Sequence, residues 1–261
     1  MKSERIVLVG AGNLATSLAP ALKNIGVPPV AVWSRTLKSA SSLAENIGCE
    51  YSCDINSLPE ADIVIISVVD SALSDVARKI ALRYPHALVL HTAGSVSIDV
   101  LKEAGCKKYG IFYPMQTFSK ALPVDFSTLG IFVEGCDNET EQAILCLARS
   151  LSEKVYVATS EQRRMLHLAA VFACNFSNAM YSVSEQLLRS SGLPFEVMLP
   201  LIDETAAKVH ALSPRMAQTG PAARGDEKIM KAQREQLDDK IGRMYEVISE
   251  YIINNAKHLN T

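Results

Sequence analysis

Long apolar runs are missing from this chain of 261 residues: no stretch reaches the roughly 18 consecutive apolar residues that span a bilayer, although 48% of the side chains are hydrophobic. A membrane-spanning helix is therefore not expected, while a sizeable core is. An excess of either charge is missing as well, since 26 basic and 28 acidic side chains leave a formal net charge of -2. With no basic block, neither a nucleic acid nor an anionic membrane finds a surface to bind by bulk charge. The six cysteines, at positions 49, 53, 106, 136, 146 and 174, form no CxxC pair and lack the density of a disulfide scaffold, which fits a reducing cytosol. The five histidines, at 86, 91, 167, 210 and 258, make no close-spaced pair with them, so no metal site is expected. A G-x-S-x-G elbow is also absent, which argues against a serine hydrolase.

What is present is an alternation of short apolar runs with helical patterns. RIVLV at 5–9 runs into Gly10, a helical pattern follows to Gly26, PVAVWSR at 29–35 gives a second strand and LKSASSLAENIG at 37–48 a second helix. Further strands are expected at 61–68, 87–94, in KKYGIFYP, at 129–135 and at 154–159, and a helix over 139–151 with Asn138 as its cap. The pattern predicts an α/β fold, a Rossmann-like mostly parallel sheet over residues 1–158. Over residues 159–261 the period becomes 3.6, predicting a second, all-α domain. Its first helix is capped by Thr159 and Gln162 and closed by Gly192 and Pro194; a region holding Pro200 is either two short helices or one kinked helix. A loop over 213–227 precedes one long amphipathic helix carrying Ile229, Gln233, Leu237, Ile241, Met244, Ile248 and Ile252. That stripe needs a partner surface, in the same domain or on a second subunit.

The chemistry begins at GAGNLA, residues 10–15, a G-x-G-x-x-A fingerprint between a predicted strand and a predicted helix. Gly10 makes the tight turn, Gly12 lets the backbone approach a pyrophosphate, and Asn13 and Leu14 open a helix whose N-terminus faces phosphate charge. Asn13 can add a side-chain donor. At the end of the second strand, where an NAD site usually carries an acid for the ribose hydroxyls, the chain has Ser34, Arg35 and Thr36. Two hydroxyls and a guanidinium suit a 2′-phosphate, so NADP is the expected cofactor. Ser67, Val69, Thr92 and Ala93, on later strand-end loops, are expected beside the nicotinamide half. Asp70 and Ser97 read as helix caps, and His91, at a strand end, as either a structural histidine or one that faces the substrate.

In RRMLHLAAVFACNFSNAMYS, residues 163–182, His167, Asn175 and Asn178 interrupt an apolar helix. On an α-helical projection Asn178 falls about 20° and Asn175 about 80° from His167, so the three share a broad face. His167 suits proton exchange near neutrality, with Asn175 orienting nicotinamide or substrate and Asn178 a substrate contact. Tyr113 is a second candidate donor, Gln116 and Thr117 can orient polar groups, and Arg224 can grip a carboxylate or phosphate. Asp226 either holds Arg224 or caps the final helix.

The ordered set GAGNLA, WSR, SVVDSAL, HTAGS, YPMQTF, HLAAVFACNF and TGPAARGD resembles, over nearly the full chain, a bacterial family with a Rossmann-like domain and a C-terminal all-helical domain of unknown function. That family is similar in turn to the superfamily of 6-phosphogluconate dehydrogenase, ketopantoate reductase and pyrroline-5-carboxylate reductase. The resemblance implies NADP-linked oxidoreduction and a helical domain that closes over the nicotinamide and often forms a homodimer, with no settled substrate. Together with the candidate residues above, the expected reaction is reduction of a small acidic carbonyl or imine compound by a homodimer. Tyr113 stands before Pro114 where family members commonly carry histidine. The superfamily's catalytic lysine, with asparagine one turn later, has no counterpart: no lysine lies between Lys154 and Lys208, and Val171 follows His167 by one turn. A noncatalytic NADP-binding sensor or scaffold is the competing expectation.

Overall fold

The computed structural model describes residues 4–122 and 124–257, so His258 lies outside it. The first part alternates β1 (Ile6–Val9), α1 (Asn13–Asn24), β2 (Pro29–Trp33), α2 (Leu37–Ile47), β3 (Glu50–Ser52), β4 (Ile63–Ile66), α3 (Asp70–Arg83), β5 (Leu88–His91), α4 (Asp99–Glu103) and β6 (Lys108–Pro114). It continues through β7 (Gly130–Gly135), α5 (Asn138–Leu151), β8 (Lys154–Val157) and α6 (Ser160–Ala170). The strands form one sheet in the order β3-β2-β1-β4-β5-β6-β7-β8, parallel except at the β6–β7 pair. This is the Rossmann-like, mostly parallel sheet expected, with β3 an addition too short and too exposed to show in the pattern.

Every residue of β1 and β4 is buried because helices cover both faces of the sheet. Successive side chains point to opposite sides, so Ile6 and Leu8 pack with α1, α2 and α5, while Val7 and Val9 pack with α3 and α4. The register brings the carboxyl ends level: Val9 lies beside both Trp33 and Ile66, Ile66 beside His91, and His91 beside Ile111. Three hydrogen bonds carry the ladder one residue further, from Gly10 N–H to Trp33 O (2.7 Å), Ser67 N–H to Val9 O (2.7 Å) and Thr92 N–H to Ile66 O (3.1 Å). The order of strands reverses between β1 and β4, and in such sheets the crevice outside that switch point is where ligands bind.

After α6 a π-helical stretch, Val171–Phe176, leads into α7 (Ser177–Ser190), followed by α8 (Leu199–Ala211), α9 (Pro214–Ala217), α10 (Pro221–Arg224), α11 (Glu227–Arg234) and α12 (Asp239–Lys257). The chain divides into two compact units, residues 1–174 and 175–261, and among the described residues every element of the second is helical. Thr159 and Gln162 form the expected reciprocal capping box at α6. Pro200 sits in the first turn of α8, where its missing N–H costs nothing, and a short 3-10 turn at Phe195–Met198 precedes it, so the region is split before the proline instead of kinked at it.

Three expectations are corrected. The cap of α5 is Asp137, not Asn138: Asp137 is still extended and its carboxylate accepts the Thr140 N–H at 2.7 Å, whereas Asn138 is already helical. The long final helix is two, because the Asp238 carboxylate accepts the N–H groups of Lys240 and Ile241, both at 2.8 Å, and starts a new helix there. The returning α12 lies against α11, with Gly242 so close to the Arg234 guanidinium that a Cβ would collide with it. Residues 213–227 hold the short helices α9 and α10 as well as turns, since each proline fits a helix's first turn. Asp226 caps α11 through Ile229 N–H at 3.2 Å.

Candidate functional site

The glycine turn after β1 is held by a close approach. Gly10 has φ +123°, and a Cβ there would lie 2.0 Å from the carbonyl oxygen of Ser67, so only glycine fits. Gly12 is the opposite case: it is exposed, and a Cβ would meet nothing within 4 Å. As the N-cap of α1 it offers no side-chain cap, and the first turn holds no acid, so the positive end of the helix faces open space. Leu14 packs inward against the core. Asn13 donates from Nδ2 to Phe118 O at 3.0 Å and thereby ties the loop after β6 to the glycine turn.

At the end of β2, Ser34 N–H donates to Ser52 O at 3.2 Å. The Thr36 hydroxyl caps α2, accepting from Ser39 N–H at 3.4 Å and donating to Ser39 Oγ at 2.8 Å. Arg35 is exposed and has no ion pair with a described residue. The donors present fit a phosphate ester, and no carboxylate stands among residues 33–38 to oppose one.

The next two loops are joined to each other. Ser95 Oγ donates to the Asp70 carboxylate at 2.5 Å, so Asp70 bridges loops instead of serving as the N-cap of α3, which is Val69. Val69 is 66% exposed and Ser67 half-buried, whereas Thr92 is buried with its hydroxyl turned back to Ile66 O at 3.4 Å. Ala93 N–H donates to Nδ1 of His91 at 3.2 Å, and Nε2 of the same ring lies 3.4 Å from Ser97 O. Both ring nitrogens are used within the loop, and burial, reinforced by the charge of Arg163, holds the imidazole pKa down to about 4. His91 is therefore a neutral structural histidine, and Ser97 accepts Asp99 N–H at 3.2 Å at the head of α4.

Beside this edge, Tyr113 OH lies 3.1 Å from His167 Nδ1, bringing together the end of β6 and the middle of α6. The rings meet edge to face with centroids 6.2 Å apart. Gly94 packs against both: a Cβ there would sit 2.7 Å from His167 Nδ1 and 2.9 Å from Tyr113 OH. Burial raises the Tyr113 hydroxyl above the ordinary phenol range, the charge of Arg163 opposes that rise, and Cys174 adds to it. The phenol is thus protonated at neutral pH.

Arg163, one turn before His167, is the group that sequence reasoning missed. It has no exposed surface, donates from one terminal nitrogen to Glu134 Oε2 at 2.6 Å, and from the other to Val96 O and, at 3.2 Å, to Ser160 Oγ. Ser160 Oγ in turn donates to Glu134 at 2.7 Å and accepts Ile98 N–H at 3.0 Å. Burial lowers the guanidinium pKa, while the hydrogen bond and charge of Glu134 raise it. Two signals were available: a charged residue four before His167 on one helix, and an acid inside the apolar strand LGIFVEG.

The remaining candidates are not gathered here. Gln116 Oε1 accepts from Thr117 N–H at 2.8 Å and Thr117 Oγ at 3.2 Å, so the pair folds on itself in an exposed loop. Asn175, Asn178 and Arg224 belong to the second unit and are exposed. The π-helical stretch between His167 and Asn178 winds differently from an α-helix, so the simple projection linking them does not hold. Among the described residues no cluster of metal-ligating side chains occurs, and no helix is long and apolar enough to cross a membrane.

A Bacteroides fragilis protein solved as a candidate NADP oxidoreductase is 46% identical, with a TM-score of 0.92 over 97% of this chain and 98% of its own. The chain belongs to that protein's family. The fold pairs a Rossmann-like sheet with an all-helical region. A model for a domain of unknown function (DUF2520) matches residues 129–252, and one for shikimate / quinate 5-dehydrogenase matches residues 1–80. The fold also occurs in distant structures. A pyrroline-5-carboxylate reductase from Coxiella burnetii has a TM-score of 0.61 at 17% identity over 99% of both chains. A reductive aminase from Aspergillus terreus, solved with NADPH and ethyl-5-oxohexanoate, has 0.71 at 19% over 97% of this chain and 94% of its own. These two share the fold alone. Among curated proteins, glutamyl-tRNA reductase of Idiomarina loihiensis is 36% identical over 74 residues, which is 27% of this chain and 18% of that protein's length.

The buried neutral His91 generates a stability prediction. Its folded pKa of about 4 lies below the ordinary 6.5, so the unfolded chain binds the extra proton first, and stability present above pH 6.5 is lost as pH falls toward 4, by about 3 kcal/mol in all. Urea unfolding across that window should show a shallower pH dependence for His91→Gln than for the wild type; parallel curves would refute the assignment.

Proposed function

We propose that the protein is an NADP-dependent oxidoreductase that reduces a small acidic carbonyl or imine compound. The observation that carries this reading is the Tyr113–His167 pair, seated against Gly94 at the carboxyl edge of a sheet whose glycine turn opens onto the N-terminus of α1. The 46% identical relative described as a candidate NADP oxidoreductase supports it. In this reading Gly10, Gly12, Asn13 and Leu14 cradle the pyrophosphate, and Ser34, Arg35 and Thr36 hold the 2′-phosphate. Ser67, Val69, Thr92 and Ala93 line the nicotinamide half. When bound, the reduced dinucleotide supplies the hydride. His167 supplies the proton from Nε2, with Tyr113 fixing its ring from the other side. Gln116 and Thr117 are candidates for orienting polar groups, and Asn175, Asn178 and Arg224 are separate substrate-contact candidates on the helical unit.

We also infer that the protein is a homodimer joined through its helical unit. Of the hydrophobic side chains in that unit, Ala222 alone is buried among the described residues, while Leu201, Val247 and Tyr251 are 61%, 67% and 70% exposed. A groove of about 740 Å³ runs between α7, α10 and α12, lined by Leu187, Ile241, Met244, Ile248 and Ile252. A second copy brings a matching apolar surface. Sedimentation equilibrium should give twice the 28.4 kDa chain mass, and a monomer that stays soluble at high concentration would refute the dimer.

For the activity, NADPH oxidation is followed with a panel of small keto acids and cyclic imino acids. At least one should turn over. His167→Asn should lower kcat by about 100-fold with the Kd for NADPH unchanged, and Arg35→Ala should weaken NADPH by about tenfold while leaving NADH nearly unaffected. Tight NADPH binding without turnover on any member would instead support the sensor reading.

A further inference from the structure

The Tyr113 hydroxyl needs an acceptor for its proton, and the polar atom within hydrogen-bond reach among the described residues is Nδ1 of His167 at 3.1 Å. A phenol donating to Nδ1 leaves the imidazole proton on Nε2, the nitrogen on the far side of the ring. Arg163 touches this arrangement twice. Through Val96 O it clamps the loop that carries Gly94 against both rings, and it does so from the same helix that carries His167. Its charge also favours ionisation of the phenol, against the larger effect of burial. Because it is fully enclosed and paired to Glu134, it is not placed to bind a substrate acid, and its Nε has no hydrogen-bond partner. Such an arrangement suits a group whose charge serves a neighbour inside the protein.

We propose that Tyr113 and His167 form a two-step proton relay and that Arg163 is its positioning residue, holding the loop at Gly94 and stabilising the phenolate that the relay transiently creates. The inference rests on the reductase reading given above. As the bound dihydronicotinamide delivers hydride and its electron pair to the carbonyl or imine carbon, the developing anion takes the Nε2 proton of His167. Nδ1 then takes the Tyr113 proton. The imidazole stays neutral in its other tautomer, Tyr113 becomes a phenolate that the Arg163 charge favours, and solvent returns one proton after product leaves. The charged or titratable groups facing Tyr113 are Arg163 and His167 from α6 and Cys174 beyond it, with Glu134 of β7 balancing Arg163.

The test uses the protein without cofactor or substrate, so it is independent of whether any substrate turns over. Nitrogen NMR on the histidines, with His167 assigned by His167→Asn, should show Nδ1 unprotonated and Nε2 protonated at neutral pH. In Tyr113→Phe that preference should be lost. Carbon NMR of Cζ-labelled tyrosine, with Tyr113 assigned by the same variant, should show Arg163→Gln ionising at least tenfold less at a given alkaline pH, while Arg163→Lys stays within about twofold of wild type. If Arg163→Gln does not fold, the charge-balanced Arg163→Gln/Glu134→Gln protein replaces it with the same expectation. A protonated Nδ1, or a Tyr113 titration unmoved by loss of the charge, overturns the relay. Absence of turnover in the wild type would bear on the reductase reading alone.

Discussion

Arg163 carries a full charge with no exposed surface, and the carboxyl edge of the sheet is organised by the way that charge is neutralised. Leaving a guanidinium unpaired in such a place costs several kcal/mol, so its partners are as constrained as it is. Glu134 comes from β7, Val96 from the loop after β5, and Ser160 from the first turn of α6. Gly94 and His167 lie in two of these segments, and Tyr113 lies on β6, paired with Phe132 of the third. A structural ion pair and the candidate proton donors are therefore parts of one network.

The glycine turn obeys a different constraint, one of space. Gly10 lies against the Ser67 carbonyl, where any side chain would collide, and this fixes the turn after β1 relative to the loop after β4. Asp70 then ties that loop to the one after β5 through Ser95. Steric exclusion at one end and hydrogen bonding at the other thus set three successive loops along the same edge. The α1 N-terminus stays uncapped and open beside them.

Much of this was legible in the sequence because it depends on local rules. The strand, glycine turn and helix of the first unit follow from apolar runs and a fixed spacing, and the Thr159–Gln162 capping box from a four-residue motif. Tyr113 and His167 were each singled out, but their contact, 54 residues apart in sequence, arises from the sheet register and from no spacing. Arg163 was passed over because an arginine in a polar first turn normally faces water, and its burial depends on Glu134 lying 29 residues away. The break before α12 was missed for a smaller reason: Asp238 falls within an otherwise regular stripe, and its capping bonds outweigh the periodicity. For His91 the sequence leaves a structural role and a substrate-facing one open, and the two hydrogen bonds of its ring within the loop decide for the first.

The dependence of the site on one buried ion pair is tested most directly by a double-mutant cycle on Arg163 and Glu134, read by urea unfolding of Arg163→Met, Glu134→Gln and the combined variant. Glu134→Gln leaves a fully buried guanidinium without its counter-charge and should cost about 3–5 kcal/mol, Arg163→Met leaves a partly buried carboxylate and should cost less, and the double variant should cost clearly less than the sum of the two. Strictly additive losses would mean that the two residues act separately, and the clamp at the sheet edge would have to be abandoned.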